Sequence, residues 1–284
     1  MKWKGREQSG NIEDRRGIGT GKMIAGGTVG TLAILVIVWL LGGDPSQIMN
    51  NLQNSGGGEV TVDSAVIKAE EELAAFSGVV LKETEVIWHD IFGKSGQSYR
   101  EPTLVLFSGS VESACGYSSS ATGPFYCPGD EKLYIDLSFL SELQQKLGAE
   151  GDFAMAYIIA HEVGHHVQKI LGITDELNKL RGSVDEAEYN RNLVKLELQA
   201  DFLAGVWAHY ADRTRNLLEE GDLEEAINAA SAVGDDRIQM QSQGYVVPDA
   251  FTHGTSEQRK SWFLKGYRTG DLEQGDTFSS RDNS

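Results

Sequence analysis

The sequence predicts an α+β fold, a small sheet followed by a mainly helical half, carried behind one N-terminal transmembrane helix. Three observations predict it. The run Met23–Gly43 has no charged residue and is long enough for a helix to cross a bilayer. Val79–Trp88 and Thr103–Ser108 are short and rich in β-branched residues, and Leu133–Leu137 alternates apolar and polar, so all three read as strands. From Ser141 onward apolar residues recur at helical spacing. With 284 residues, 40% of them hydrophobic, the chain can bury a proper core in one good-sized domain or two small ones.

Charge divides the chain. Residues 1–22 hold six basic and three acidic side chains, a net +3, against −17 for the whole. The remainder is therefore strongly acidic, which excludes nucleic acid as a partner, because phosphate binding needs a basic surface. A basic flank before the apolar run places the N-terminus in the cytoplasm and everything after Asp44 outside it. Trp39 falls where an interfacial aromatic belongs. A cleaved signal peptide would have a shorter apolar core and a small-x-small cleavage site; a buried core helix would not need the charge asymmetry. The expected organisation is a cytoplasmic basic tail at 1–22, a signal anchor at 23–43, a linker at 44–61 and a single domain at 62–284. The linker reading rests on the Asn, Gln, Ser and Gly content of Ser46–Thr61. Val62–Phe76 then has the apolar spacing of a helix.

Cys115 and Cys127 bracket a short loop. They form a disulfide if the domain is exported, and are two buried thiols otherwise. Neither belongs to a C-x-x-C pair, so zinc ligation is disfavoured.

The segment Asp152–Gly172 reads as one helix, with Asp152 as its N-cap and Gly172 as its stop. It contains His161-Glu162-Val-Gly-His165. Histidines four apart stack on one helical face, the spacing a tetrahedral zinc needs from a single helix. Glu162, one residue round, can reach a water on the metal without ligating it. H-E-x-x-H also occurs by chance on solvated faces. Here Phe153–Ala160 is strongly apolar, so the helix is buried and its ionisable residues need a reason.

A third ligand comes from Leu193–Tyr210, a second helix opened by a capping box at Ser183 and Glu186. Glu197 and Asp201 share a face beside the apolar stripe Leu196, Ala200, Leu203, Ala204 and Trp207. Glu197 is the expected ligand, and Asp201 is expected to hold a ligand histidine through its other ring nitrogen. His166 points about 100° away from the ligand face and reads as structural or exposed. His209 and His89 carry no functional signal.

H-E-x-x-H followed by Glu-x-x-x-Asp on a later helix resembles the gluzincin metallopeptidases, and Glu197-Leu-Gln-Ala-Asp201 resembles the HtpX and CAAX-prenyl endopeptidase pattern. The whole chain is more similar still to a bacterial family of neutral zinc metallopeptidases, from Trp3–Arg6 and Asn11–Arg16 through Gly123–Pro128 to the His253 segment. The resemblance implies a zincin-like domain, Zn²⁺ as cofactor, a peptide or protein substrate, and a single-pass protein of the bacterial inner membrane. Thr252-His253 with Arg259 is similar to an HtpX-type segment whose histidine faces the developing oxyanion, so His253 is the implied oxyanion donor. Gly254 replaces that pattern's proline. Thr255 and Gln258 form a capping box after it. The expected function is zinc-dependent endopeptidase. The other class of reading is a zinc-binding envelope scaffold or chaperone-like protein that cuts nothing, for which the base Glu162 would have no use.

Overall fold

A computed structural model describes residues 1–16, 64–119, 122–139 and 151–279. Met1–Arg15 and Glu72–Ser284 make up one compact unit, and Arg16–Glu71 a second. In the second, Arg16 pairs with Glu71 at 3.0 Å.

The first unit contains a four-stranded sheet in the order β1 (Ile12–Asp14), β2 (Thr103–Phe107), β6 (Lys132–Asp136), β5 (Phe125–Cys127). β1, β2 and β6 run parallel; β5 is antiparallel to β6, and β1 and β5 are the outer strands. The alternation read in Leu133–Leu137 is thus a strand, interior to a sheet whose outer strands are β1 and β5. Side chains leave a strand on opposite faces in turn. Leu104, Leu106, Leu133 and Ile135 accordingly join the main core, while Val105, Phe107, Tyr134 and Cys127 form a smaller cluster on the other side. A separate hairpin, β3 (Ser110–Ser113) and β4 (Gly116–Ser119), carries Cys115 at its turn. Cys115 and Cys127 are joined as a disulfide, which ties the hairpin to the edge strand.

Val79–Trp88 is not a strand. It lies inside α1 (Ser64–Lys94). Its β-branched residues Val79, Val80, Thr84, Val86 and Ile87 suit a strand as well as a buried helix. In fact Glu83 and Glu85 are both buried, so the polar positions do not mark a solvent face. Glu83 accepts from Arg6 and Arg215, each at 2.8 Å. Glu85 accepts from Ser9, from Asn11 at 2.9 Å and from Lys82 at 3.1 Å. Three of these partners, Arg6, Ser9 and Asn11, lie in the N-terminal segment, which is also packed by Trp3 edge-on to Phe76 (5.4 Å) and by β1 in the sheet.

That segment corrects the expected topology. Residues on both sides of Met23–Gly43 contribute to one compact unit and one sheet, so a cytoplasmic tail at 1–22 separated by a single crossing from an outer domain does not hold. Among the described residues no helix is long and apolar enough to cross a membrane. The long helices are interrupted by charge, as in Glu70, Glu71 and Glu72 of α1. The transmembrane part of the fold and the inner-membrane location are therefore withdrawn. The run 23–43 and the linker 44–61 lie outside the described residues.

The helical half comprises α2 (Asp152–Ile170), α3 (Ile173–Leu180), α4 (Glu186–Arg213), α5 (Asp222–Ala232), α6 (Asp235–Gln243) and α7 (Ser256–Thr269). α2 is buried along Phe153–Gly164, as its apolar run requires. Its first amide is capped from a distance: Glu225 of α5 accepts from the Phe153 N–H at 2.9 Å, and Asp152 is the first helical residue, not the cap. α4 opens on Asp185, whose carboxylate accepts from the Glu188 N–H at 2.7 Å, in place of the expected box at Ser183 and Glu186. The box at Thr255 and Gln258 is present on α7.

Candidate metal centre

α2 and α4 cross where Gly164 meets Ala200. A β-carbon at Gly164 would stand 2.9 Å from the Ala200 carbonyl oxygen, so only glycine permits this approach. The close crossing sets Glu197 and Asp201 of α4 opposite the histidines of α2.

His161, His165 and Glu197 converge so that one ligand atom from each lies within 4.8 Å of the others. His161 Nε2 is 3.1 Å from Glu197 Oε2, and His165 Nε2 is 3.4 Å from Glu197 Oε1. Tetrahedral ligands at zinc bond lengths stand roughly 3.3–3.6 Å apart, so this donor set fits the metal. Each histidine is oriented through its other nitrogen. His161 Nδ1 is 2.8 Å from Asp201, and His165 Nδ1 is 2.9 Å from Gln168, which leaves both Nε2 atoms facing the centre.

Asp201 is fully buried and held on several sides. Arg259 of α7 donates Nε to Oδ2 at 2.8 Å and Nη2 to Oδ1 at 3.0 Å, and the Tyr157 hydroxyl donates to Oδ1 at 2.5 Å. Burial opposes the Asp201 charge, but Arg259 and His161 outweigh it and bring the pKa down to about 2. Burial likewise opposes an imidazolium at His161, yet Asp201 and then Glu197 lift its pKa to about 10. Glu197 itself is held well below the usual carboxylate range, its burial overcome by the two histidines.

Glu162 is next to this cluster and outside it. Burial raises its pKa, with the neighbouring His165 and His161 opposing. A buried carboxylate with a raised pKa and no metal-facing role is suited to accept and return a proton.

A cleft of about 540 Å³ opens over the cluster, with His161, Glu162, His165, Glu197 and His253 in its lining. His253 sits in the loop before α7. Its Nδ1 is 3.2 Å from Asp235, whose Oδ2 also accepts the backbone N–H groups of Thr252, His253 and Gly254. Asp235 raises the His253 pKa against the effect of burial. Gly254 has φ +88°, which proline cannot take, so the loop departs from the resembled pattern at that residue.

Sequence reasoning missed Tyr157, Gln168 and Asp235. Tyr157 lies four residues before His161, and Gln168 three after His165, so helical spacing alone could have flagged both. Asp235 is eighteen residues from His253, and no local pattern links the two. Arg259, expected with the His253 segment, lines the same cleft and is the buried partner of Asp201. His166 is wholly buried.

The chain shares 46% identity over 284 residues with "Uncharacterized protein YpfJ" of Escherichia coli (strain K12), covering 98% of this chain and 99% of that one. It shares 43% over 195 residues with "Uncharacterized protein Mb2605" of Mycobacterium bovis and with "Uncharacterized protein Rv2575" of Mycobacterium tuberculosis (strain H37Rv), 65% of this chain and 64% of each relative. No solved structure matches. The family model described as "Putative neutral zinc metallopeptidase" matches residues 1–278, and the chain belongs to that family.

Proposed function

We propose that the protein is a zinc-dependent endopeptidase, with zinc held by His161, His165 and Glu197. The observation that carries the reading is the convergence of these three donors beside a buried carboxylate, Glu162, that is not one of them. Zinc bound there would lower the pKa of a water and polarise the scissile carbonyl. Glu162 takes the proton from the attacking water and delivers it to the leaving amine. His253, whose charged form Asp235 favours, donates to the carbonyl oxygen as it gains charge. Asp201 and Gln168 fix the ring orientations of the two histidines.

The lining supports internal cleavage. Its one guanidinium, Arg259, is engaged by Asp201, so the described lining offers no free Lys or Arg for a substrate's C-terminal carboxylate. Its carboxylates are Glu162 and Glu197, both assigned above, which leaves none for a free amino terminus.

Glu162→Gln tests the reading. Zinc content and melting temperature should stay at wild-type values, while cleavage of a peptide library falls by roughly 10²–10⁴. If zinc-loaded wild type cuts nothing across broad libraries and Glu162→Gln still complements a deletion strain, the scaffold reading replaces it.

A further inference from the structure

β5 is three residues long and, among the described residues, is paired on one side only, by β6. A strand so short is held weakly by its ladder, yet Phe125 and Tyr126 from it line the cleft. An unpaired edge facing a cleft is where an extended peptide can add as a further strand. Its distance from α2 therefore decides where a bound peptide lies relative to the metal ligands and Glu162.

The contact that sets this distance runs through His166, the residue after the second histidine ligand. The Tyr126 hydroxyl is 3.0 Å from His166 Nδ1, and the rings meet edge to face at 5.4 Å. On its other side His166 Nε2 is 2.6 Å from the Arg100 carbonyl oxygen. A carbonyl only accepts, so Nε2 carries the hydrogen, Nδ1 is bare, and the tyrosine must donate. His166 is wholly buried, which disfavours a charged ring. The backbone N–H of Tyr126 also reaches Glu162.

We propose that His166 and Tyr126 form a clamp that fixes the edge strand β5 against the metal helix α2, making both of them positioning residues for a peptide laid along that edge. The clamp is defined by the two side chains and their partners. Its effect on catalysis rests on the peptidase reading above.

The full-length zinc-loaded chain is the test, with Tyr126→Phe, His166→Gln and the double variant. Tyr126→Phe removes one oxygen and keeps the ring. His166→Gln keeps a donor toward the Arg100 carbonyl where Nε2 stood and removes the acceptor at Nδ1, so it cuts the same bond from a residue outside the cleft lining, and a direct contact between tyrosine and substrate cannot explain a shared effect. Hydrogen–deuterium exchange at Phe125–Cys127 should quicken by about tenfold in each single variant, the scale of one lost hydrogen bond to a buried acceptor. KM for a cleaved peptide should rise by about tenfold with kcat changed much less, and zinc affinity should stay within about threefold of wild type. The double variant should be no worse than either single one, since both remove one interaction. Unchanged exchange in Tyr126→Phe, additive effects in the double variant, or a parallel loss of zinc would overturn the clamp. If the wild type cleaves no peptide, the peptidase reading fails and the exchange and double-variant arms still decide the clamp.

Discussion

Gly164→Ala adds one methyl where α2 meets α4, and its effect can be worked from the contact. The new β-carbon would stand 2.9 Å from the Ala200 carbonyl oxygen and 3.2 Å from its Cα, against 3.4 Å for an ordinary contact. Both obstacles are backbone, so no side-chain rotation relieves them, and the helices must separate locally by about half an ångström. Ala200 lies between Glu197 and Asp201, so the displacement passes to the carboxylate in the ligand set and to the one that orients His161. Metal sites tolerate ligand errors of about 0.2 Å. Overpacking of this size costs about 1–3 kcal/mol of stability, and zinc affinity should fall by roughly 10–100-fold, the scale seen when ligand support is lost. Thermal unfolding of the metal-free protein reads the first quantity, and competition against a chromophoric chelator reads the second. A variant that melts lower but binds zinc within about twofold of wild type would refute the link between helix spacing and metal geometry.

Other substitutions separate the remaining roles. Added zinc should raise the melting temperature of the wild type by mass action; Glu197→Ala should abolish that rise, while Asp201→Ala should reduce it. The reverse pattern would make Asp201 the ligand. His253→Ala should lower turnover by about 10² without releasing zinc. Asp235 raises the His253 pKa, so activity that needs protonated His253 is present below that pKa and is lost as pH rises through it. In Asp235→Asn the alkaline fall should move to lower pH, and an unmoved pH profile would remove Asp235 from the mechanism. Burial opposes the charge on Glu83, but Arg215 and Arg6 outweigh it and hold the carboxyl below its ordinary pKa. Their stabilisation is full above the unfolded-state value and fades as pH falls through the lower folded one. Glu83→Gln should cost about 1–3 kcal/mol at neutral pH, less than for a fully buried pair because Arg215 reaches solvent. Once the pH falls below the folded-state value the gap to wild type should shrink, as denaturant midpoints at neutral and acid pH would register.

Much of the candidate site was legible because two helices carry it and helical spacing is periodic. His161 with His165, and Glu197 with Asp201, are each four apart, and four residues return a side chain to the same face. The crossing that joins the two pairs was not legible, since the small residue allowing it, Gly164, occupies an unconstrained position of the motif. Asp235 was invisible for a related reason: its partner loop is reached through the fold and not along a helix. In the sheet, the β-branched and alternating runs gave β2 and β6. β5 and β1 have three residues each and carry no period to detect. Val79–Trp88 misled because burial on all sides of α1 erases the polar stripe that normally marks a helix. The charge asymmetry of residues 1–22 was real in composition but did not mark a separate compartment, because Arg6 is spent on Glu83 and Arg15 on Glu13 within the domain.

The parallel pairing of β1 with β2 has a consequence for how the chain acquires its fold. Ile12 lies beside Leu104, so the first strand must wait for most of a hundred residues before its partner exists. Closing so long a loop is entropically costly at the outset, and non-local parallel pairing of this kind is slow. During synthesis the N-terminal segment would emerge early and stay unpaired, while β2, once made, would present an open edge until β1 docks. Open strand edges are templates for association with other chains. A protein begun at residue 62 would keep that edge permanently and would also lose the Arg6 contact to Glu83. The first fifteen residues thus cover the five-residue edge of β2 and leave the three-residue β1 as the outer strand, a shorter template for association.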